Sequence, residues 1–127
     1  KPGARSGLAE QVDIYPTLCD LAGLPKPKHL QGRSLKPMLD DPSTKGKQVA
    51  ISTMIAPHTR QTGHSLRTDA FRYIAWEGGE ELLYDLRTDA DELHNLAKQP
   101  AQAERMNRMR ERLAAHLKSV VEPSGSR

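Results

Sequence analysis

With a single cysteine, Cys19, the chain can form no internal disulfide, and the zinc patterns built on paired cysteines are excluded. Aromatic residues are almost as scarce: one Trp, one Phe and three Tyr make up 4% of the 127 residues. Hydrophobic residues of all kinds reach only 36%, which leaves little apolar material for each element to bury and points to a piece that needs a neighbour. No apolar run approaches the roughly 20 residues of a membrane-spanning helix, so no membrane partner is expected. Charge of one sign is lacking too. The 19 basic residues face 16 acidic ones, interspersed rather than gathered in a stripe, which argues against a nucleic-acid partner. Even the cluster Arg105, Arg108, Arg110 and Arg112 alternates with Glu104 and Glu111 and reads as a solvated helix face.

What is present reads as one domain-sized unit with ragged ends. The opening Lys1-Pro2-Gly3-Ala4-Arg5-Ser6-Gly7 is turn-rich and resembles a connection within a longer protein, while residues 122–127 read as a disordered tail. Asp13 is placed to cap a helix whose apolar positions are Ile14, Tyr15, Leu18, Leu21 and Ala22. Pro16 is tolerated in its first turn and Gly23 stops it. After the irregular Leu24-Pro25-Lys26-Pro27-Lys28, Ser34 caps a single helical turn through Leu39.

Alternation then predicts strands at 48–56, 63–68, 70–76 and 81–86, the third and fourth joined by a two-residue turn at Gly78-Gly79. Phe71, Tyr73 and Ala75 form one face of the sheet, which Leu82, Tyr84 and Leu86 are expected to join. The other face carries Ile74, Trp76 and Leu83. A last helix at 101–120 bears the stripe Met106, Met109, Leu113, Leu117 and Val120. The expected fold class is α+β: a small antiparallel sheet of three to four strands packed by a C-terminal helix, with a short N-terminal helix.

Catalytic chemistry needs a nucleophile beside a base, or a metal site. Cys19 lies inside an amphipathic helix, where a packed thiol is the simpler reading. The five histidines, His29, His58, His64, His94 and His116, show no metal-binding spacing. Asp40-Asp41, followed by Pro42, is a loop start. His58, Arg60 and His64 cluster in the connection between strands one and two, where imidazole and guanidinium suit an anionic ligand. No catalytic residue and no metal ligand is nominated.

The run Val12-Asp13-Ile14-Tyr15-Pro16-Thr17-Leu18-Cys19-Asp20-Leu21-Ala22-Gly23-Leu24-Pro25, followed by Leu30-Gln31-Gly32-Arg33-Ser34-Leu35, resembles a segment of the sulfatases of the alkaline-phosphatase superfamily. So do His64-Ser65-Leu66-Arg67-Thr68-Asp69 with Arg72-Tyr73, and Glu81-Leu82-Leu83-Tyr84-Asp85-Leu86 through Asp89, Glu92, Asn95, Leu96 and Ala97. Within that family the strand at His64–Thr68 looks most like the iduronate-2-sulfatase group.

The resemblance implies a C-terminal subdomain whose parent enzyme hydrolyses a sulfate ester, with a formylglycine made from a C/S-x-P-S/A-R motif and a bound calcium ion. Cys19 is followed by Asp20-Leu21-Ala22, so both cofactors are expected in a missing N-terminal sulfatase domain and none in these residues. Residues 1–47 would then end the catalytic domain and residues 48–121 form the C-terminal subdomain. The partners implied are that missing domain and a sulfated sugar, for which His58, Arg60 and His64 are the candidate contacts. The full enzyme would be periplasmic, secreted or lysosomal-like. Two rival readings are a phosphodiesterase or phosphonate hydrolase of the same superfamily and a free-standing module that binds sulfated glycans. Asp85, Glu92 and Asn95 are expected to tie a loop by side-chain to backbone hydrogen bonds.

Overall fold

A computed structural model describes residues 7–121. The expectations for residues 1–6 and for the tail 122–127 lie outside the described residues. The chain divides into two compact units between Ala50 and Ile51.

In the first unit, helix α1 (Ile14–Ala22) follows a short 3-10 turn at Gln11–Asp13. It ends where expected. Gly23 takes the left-handed conformation at φ 66°, and the N–H of Leu24 returns to the carbonyl of Cys19 at 2.8 Å, satisfying a carbonyl the helix would otherwise leave open. Its start differs from expectation. The Asp13 side chain does not cap α1; its Oδ2 accepts the N–H of Glu10 at 2.9 Å, and its Oδ1 accepts the N–H of Arg33 at 2.8 Å and pairs with Lys47 Nζ at 2.6 Å. Lys47 also pairs with Glu10, and Leu8 forms an isolated antiparallel bridge with Lys47. One fully buried carboxylate therefore joins three separate stretches of chain.

The apolar positions of α1 do not point into the unit. Pro16, Thr17 and Cys19 are its buried positions, while Ile14, Tyr15, Leu18 and Leu21 are exposed. The inward side is held by polar bonds: the Thr17 hydroxyl donates to the carbonyl of Asp13 and accepts the N–H of Leu35 at 2.8 Å. Gly32 sits where a Cβ would lie 1.9 Å from the carbonyl oxygen of Val12. Its lack of a side chain thus serves a close backbone approach. Helix α2 (Lys36–Asp40) is preceded by Ser34, whose hydroxyl accepts the N–H of Lys36 at 3.2 Å.

The second unit is an antiparallel meander in the order β1 (Ala50–Ile55), β2 (Thr62–Arg67), β3 (Phe71–Trp76) and β4 (Glu81–Asp85), followed by helix α3 (Ala103–Val121). The fold is thus α+β, a four-stranded antiparallel sheet with helices. The β3–β4 turn is a three-residue loop, Glu77-Gly78-Gly79, and not the two-residue Gly78-Gly79 turn. The N–H of Trp76 bonds the carbonyl of Glu80 at 2.9 Å, and Gly79 takes φ 85°.

This loop sets the register. Ala75 pairs with Glu81 and Tyr73 with Leu83, so Leu83, and not Leu82 or Tyr84, shares the core face with Phe71 and Tyr73. Leu66 lies opposite Tyr73 on β2 and completes that face. Leu66, Leu83, Tyr73 and Phe71 are buried there, together with Met106, Met109 and Leu113 of α3. Val120, expected in the same stripe, is exposed.

Two arginines of the cluster read as a solvated face tie α3 to the sheet. Arg110 makes a bidentate pair with Glu81 at 2.8 and 2.6 Å, and Glu81 also accepts the Tyr73 hydroxyl. The guanidinium of Arg105 lies 4.0 Å from the centre of the Phe71 ring. Between β4 and α3, Asn95 closes the loop as expected. Its Oδ1 accepts the N–H groups of Leu83 at 3.0 Å and Ala97 at 2.9 Å, and its Nδ2 donates to the carbonyl of Glu81 at 3.3 Å. Asp85 accepts the N–H of Arg87 at 3.1 Å. Glu92 does something else: at φ 59° it pairs with the Arg72 side chain at 2.9 Å.

Candidate functional site

The three candidate contacts do not all sit in one loop. The strand β1 ends at Ile55, the N–H of Ala56 bonds the carbonyl of Gln61 at 2.9 Å, and the N–H of Arg60 bonds the carbonyl of Ala56 at 2.9 Å. That pattern closes a tight hairpin over residues 57–60. Arg60 reaches it with φ 55°, a left-handed conformation that costs a residue with a side chain of the order of 1 kcal/mol or more. His58 and Arg60 are exposed on this loop. His64 lies on β2 instead, half-buried, with its Nδ1 3.1 Å from the Thr53 hydroxyl of β1.

The same end of the sheet gathers a second loop. Glu77 N–H bonds the carbonyl of Thr62 at 2.9 Å while the Glu77 carboxylate accepts the N–H of Thr62 at 2.9 Å. The Thr62 backbone N–H first, and the Thr62 side chain second, hold the Glu77 carboxyl below its ordinary range. The Gln61 side chain packs over Gly78, where a Cβ would meet its Nε2 at 2.7 Å. The β1–β2 hairpin carrying His58 and Arg60 is therefore braced by the β3–β4 hairpin. Glu77 was legible in the sequence only as the flank of a glycine turn; its bracing role depends on the register of β2 against β3.

The arrangement offers hydrogen-bond donors and positive charge to an anion and carries no catalytic pair. The Cys19 thiol is buried in α1. Among the described residues, no three or more His, Cys, Asp or Glu side chains come together that could hold a metal ion, and no Cys or Ser stands in a C/S-x-P-S/A-R context. These residues do not fit a calcium or formylglycine site. His94 lies in the loop after β4 with its N–H bonded to Asp89 at 2.9 Å.

Comparison with known proteins places this geometry in context. The family profile described as N-sulphoglucosamine sulphohydrolase, C-terminal, matches residues 1–119. Arylsulfatase K of Homo sapiens is 34% identical over 111 residues, covering 76% of this chain and 21% of that protein. The chain thus spans about a fifth of the length of the curated relatives it matches. Among solved structures, a 2-O GAG sulfatase superposes with a TM-score of 0.76 at 32% identity, covering 84% of this chain and 24% of the other. A protein solved with its substrate D-glucosamine-2-N,6-O-disulfate gives 0.76 at 26% identity, covering 88% and 24%. The phosphonate monoester hydrolase of Agrobacterium radiobacter gives 0.67 at 28% identity, covering 81% and 23%.

Proposed function

Since this chain belongs to the C-terminal family of the N-sulphoglucosamine sulphohydrolases, we propose that it is the C-terminal subdomain of a sulfatase that releases sulfate from a sulfated glycan. The observation that carries this reading is the match over residues 1–119, supported by the likeness to a 2-O GAG sulfatase along most of the chain.

In this reading the chemistry belongs to a catalytic domain outside these residues. Calcium and formylglycine are assigned to that domain as well. The subdomain supplies one wall of the substrate cleft. His58 and Arg60, presented on the braced β1–β2 loop, bind an acidic sugar, and His64 supports them from β2. The finer specificity we propose is that of an iduronate-2-sulfatase-like enzyme, acting on a 2-O-sulfated uronic acid. The resemblance of residues 64–68 to that group and the likeness to a 2-O GAG sulfatase both favour it.

The test is a substrate panel on the full-length parent. Release of inorganic sulfate from a 2-O-sulfated uronate disaccharide, faster than from a 6-O-sulfated glucosamine, is the expected result. Turnover of a phosphonate monoester with no turnover of any sulfate ester would assign the parent to the other branch of the superfamily.

A further inference from the structure

Where the β2–β3 turn meets helix α3, the surface opens into a groove of about 490 Å³, a size within the range of ligand sites. Thr68 and Phe71 form its sheet wall. Arg105, Arg108 and Arg112 line it from the helix, with Glu111 the single carboxylate among the lining residues. The groove lies at the far end of β2 from the hairpin that carries His58 and Arg60. The six residues of β2 separate the two, on the order of 20 Å.

Positions 105, 108 and 112 fall at i, i+3 and i+7, so three guanidinium groups share one side of α3, an arrangement that costs helix stability through like-charge repulsion. Other arginines of this unit have their charge matched. Arg110 engages both oxygens of Glu81, Arg87 both oxygens of Asp85, and Arg72 pairs with Glu92. Arg105 is held instead by neutral groups, the Phe71 ring at 4.0 Å and the side-chain oxygen of Gln102. Asp85 feels the Arg105 charge, but both of its oxygens already accept from Arg87. Arg108 has only Glu104, 3.6 Å away, with both side chains exposed, and among the described residues Arg112 has no ion pair. A guanidinium fixed on an aromatic face is already oriented, so an oxyanion that reaches Arg105 loses little by ordering it.

The three forks span about 10 Å of α3, which calls for several oxyanions in succession on one ligand rather than a single ion. Nucleic acid fits poorly, because the groove's one aromatic ring is 7% exposed and covered by Arg105, leaving no face for a base to stack on. A membrane surface fits no better, since Met106, Met109 and Leu113, the apolar side of α3, are buried. We infer that this groove is a second anion site, which grips a sulfated stretch of a glycan chain away from the sugar held at His58 and Arg60. The choice of a sulfated glycan rests on the proposed sulfatase reading; the site itself rests on the groove.

The test measures binding of a fluorescently tagged heparin decasaccharide to the full-length parent by anisotropy. Arg108→Gln with Arg112→Gln removes two exposed charges, keeps residues that favour a helix and leaves Arg105 on Phe71, and a thermal melt checks that the fold is intact. The expected result is a Kd raised at least tenfold, with the KM for a sulfated disaccharide unchanged. The same loss of charge elsewhere, Lys28→Ala with Lys98→Ala, should change the Kd less than threefold. An unchanged Kd in the arginine variant would overturn the inference. So would an equal loss in the lysine variant, because net charge alone would then explain the binding. A single-stranded DNA of matched charge held as tightly by the unaltered parent would overturn it in favour of nucleic acid. Each of these failures leaves the sulfatase reading standing if the parent releases sulfate. A parent that binds the decasaccharide through the groove but turns over no sulfate ester keeps the site and removes that reading.

Discussion

The carboxylate of Asp13 accepts the backbone N–H of Arg33, twenty residues further along the chain, at 2.8 Å, and takes the ammonium of Lys47 with its remaining capacity. A fully buried charge is tolerated here because every direction around it is filled by a donor. Removing the counter-charge should therefore cost more than removing a surface ion pair. Lys47→Met is expected to destabilise the protein by about 3 kcal/mol, against no more than about 1 kcal/mol for breaking the exposed Lys36–Asp40 pair with Lys36→Met. Urea denaturation of both variants measures the difference.

The same carboxylate gives stability a pH dependence. Burial alone would push the Asp13 carboxyl up. The Lys47 ammonium and the N–H groups of Arg33 and Glu10 outweigh it and hold the carboxyl below its ordinary value of 3.8. A carboxyl with a lower folded than unfolded value binds protons more readily when unfolded, so protonation favours unfolding. Its contribution is complete above about pH 4 and is lost as the pH falls through the lower folded value. Thermal melts between pH 6 and pH 2.5 should show a steep fall in Tm at the acid end, shallower in Asp13→Asn once the overall destabilisation is subtracted.

Leu83 and Leu82 are chemically identical neighbours with different fates. Leu83 is fully buried against Tyr73 and α3, whereas Leu82 is half-buried on the opposite face. Leu83→Ala is expected to cost about 3 kcal/mol and Leu82→Ala clearly less. Equal losses in a chemical denaturation comparison would mean that the register is wrong by one residue.

That pair also shows where the sequence stopped being readable. The positions of the strands and both longer helices follow from apolar periodicity and glycine punctuation, which left the sheet at three to four strands. The face that each β4 residue occupies does not, because Leu82, Leu83 and Tyr84 fit either side. With a two-residue turn at Gly78-Gly79, Tyr73 would oppose Tyr84. The three-residue loop moves the pairing by one and turns every β4 side chain over. The stripe of α1 was equally legible, but periodicity identifies a face without saying what covers it. The inward side proved to be the polar one, held by Thr17 and Asp13. His58 and Arg60 could be placed on a loop from the pattern alone, while the left-handed Arg60 and the brace from Glu77 required the strand register.

For the candidate contacts, the parent carrying His58→Ala and Arg60→Asn should bind an acidic sugar more weakly without losing its chemistry; asparagine tolerates the left-handed backbone at position 60. The expected outcome is a KM for the uronate-containing sulfate ester raised about tenfold or more, with kcat little changed and turnover of a small aryl sulfate unaffected. An equal loss on both substrates would place these residues in general folding rather than in recognition of the sugar.

The central claim is that these 127 residues shape a sulfatase cleft and contain none of its chemistry. Inorganic sulfate released from an aryl sulfate by the purified 127-residue chain, measured beside the full-length parent at equal molarity, tests it most directly. The account predicts release by the parent and none above a boiled control by the chain. Sulfate released by the chain alone would contradict it.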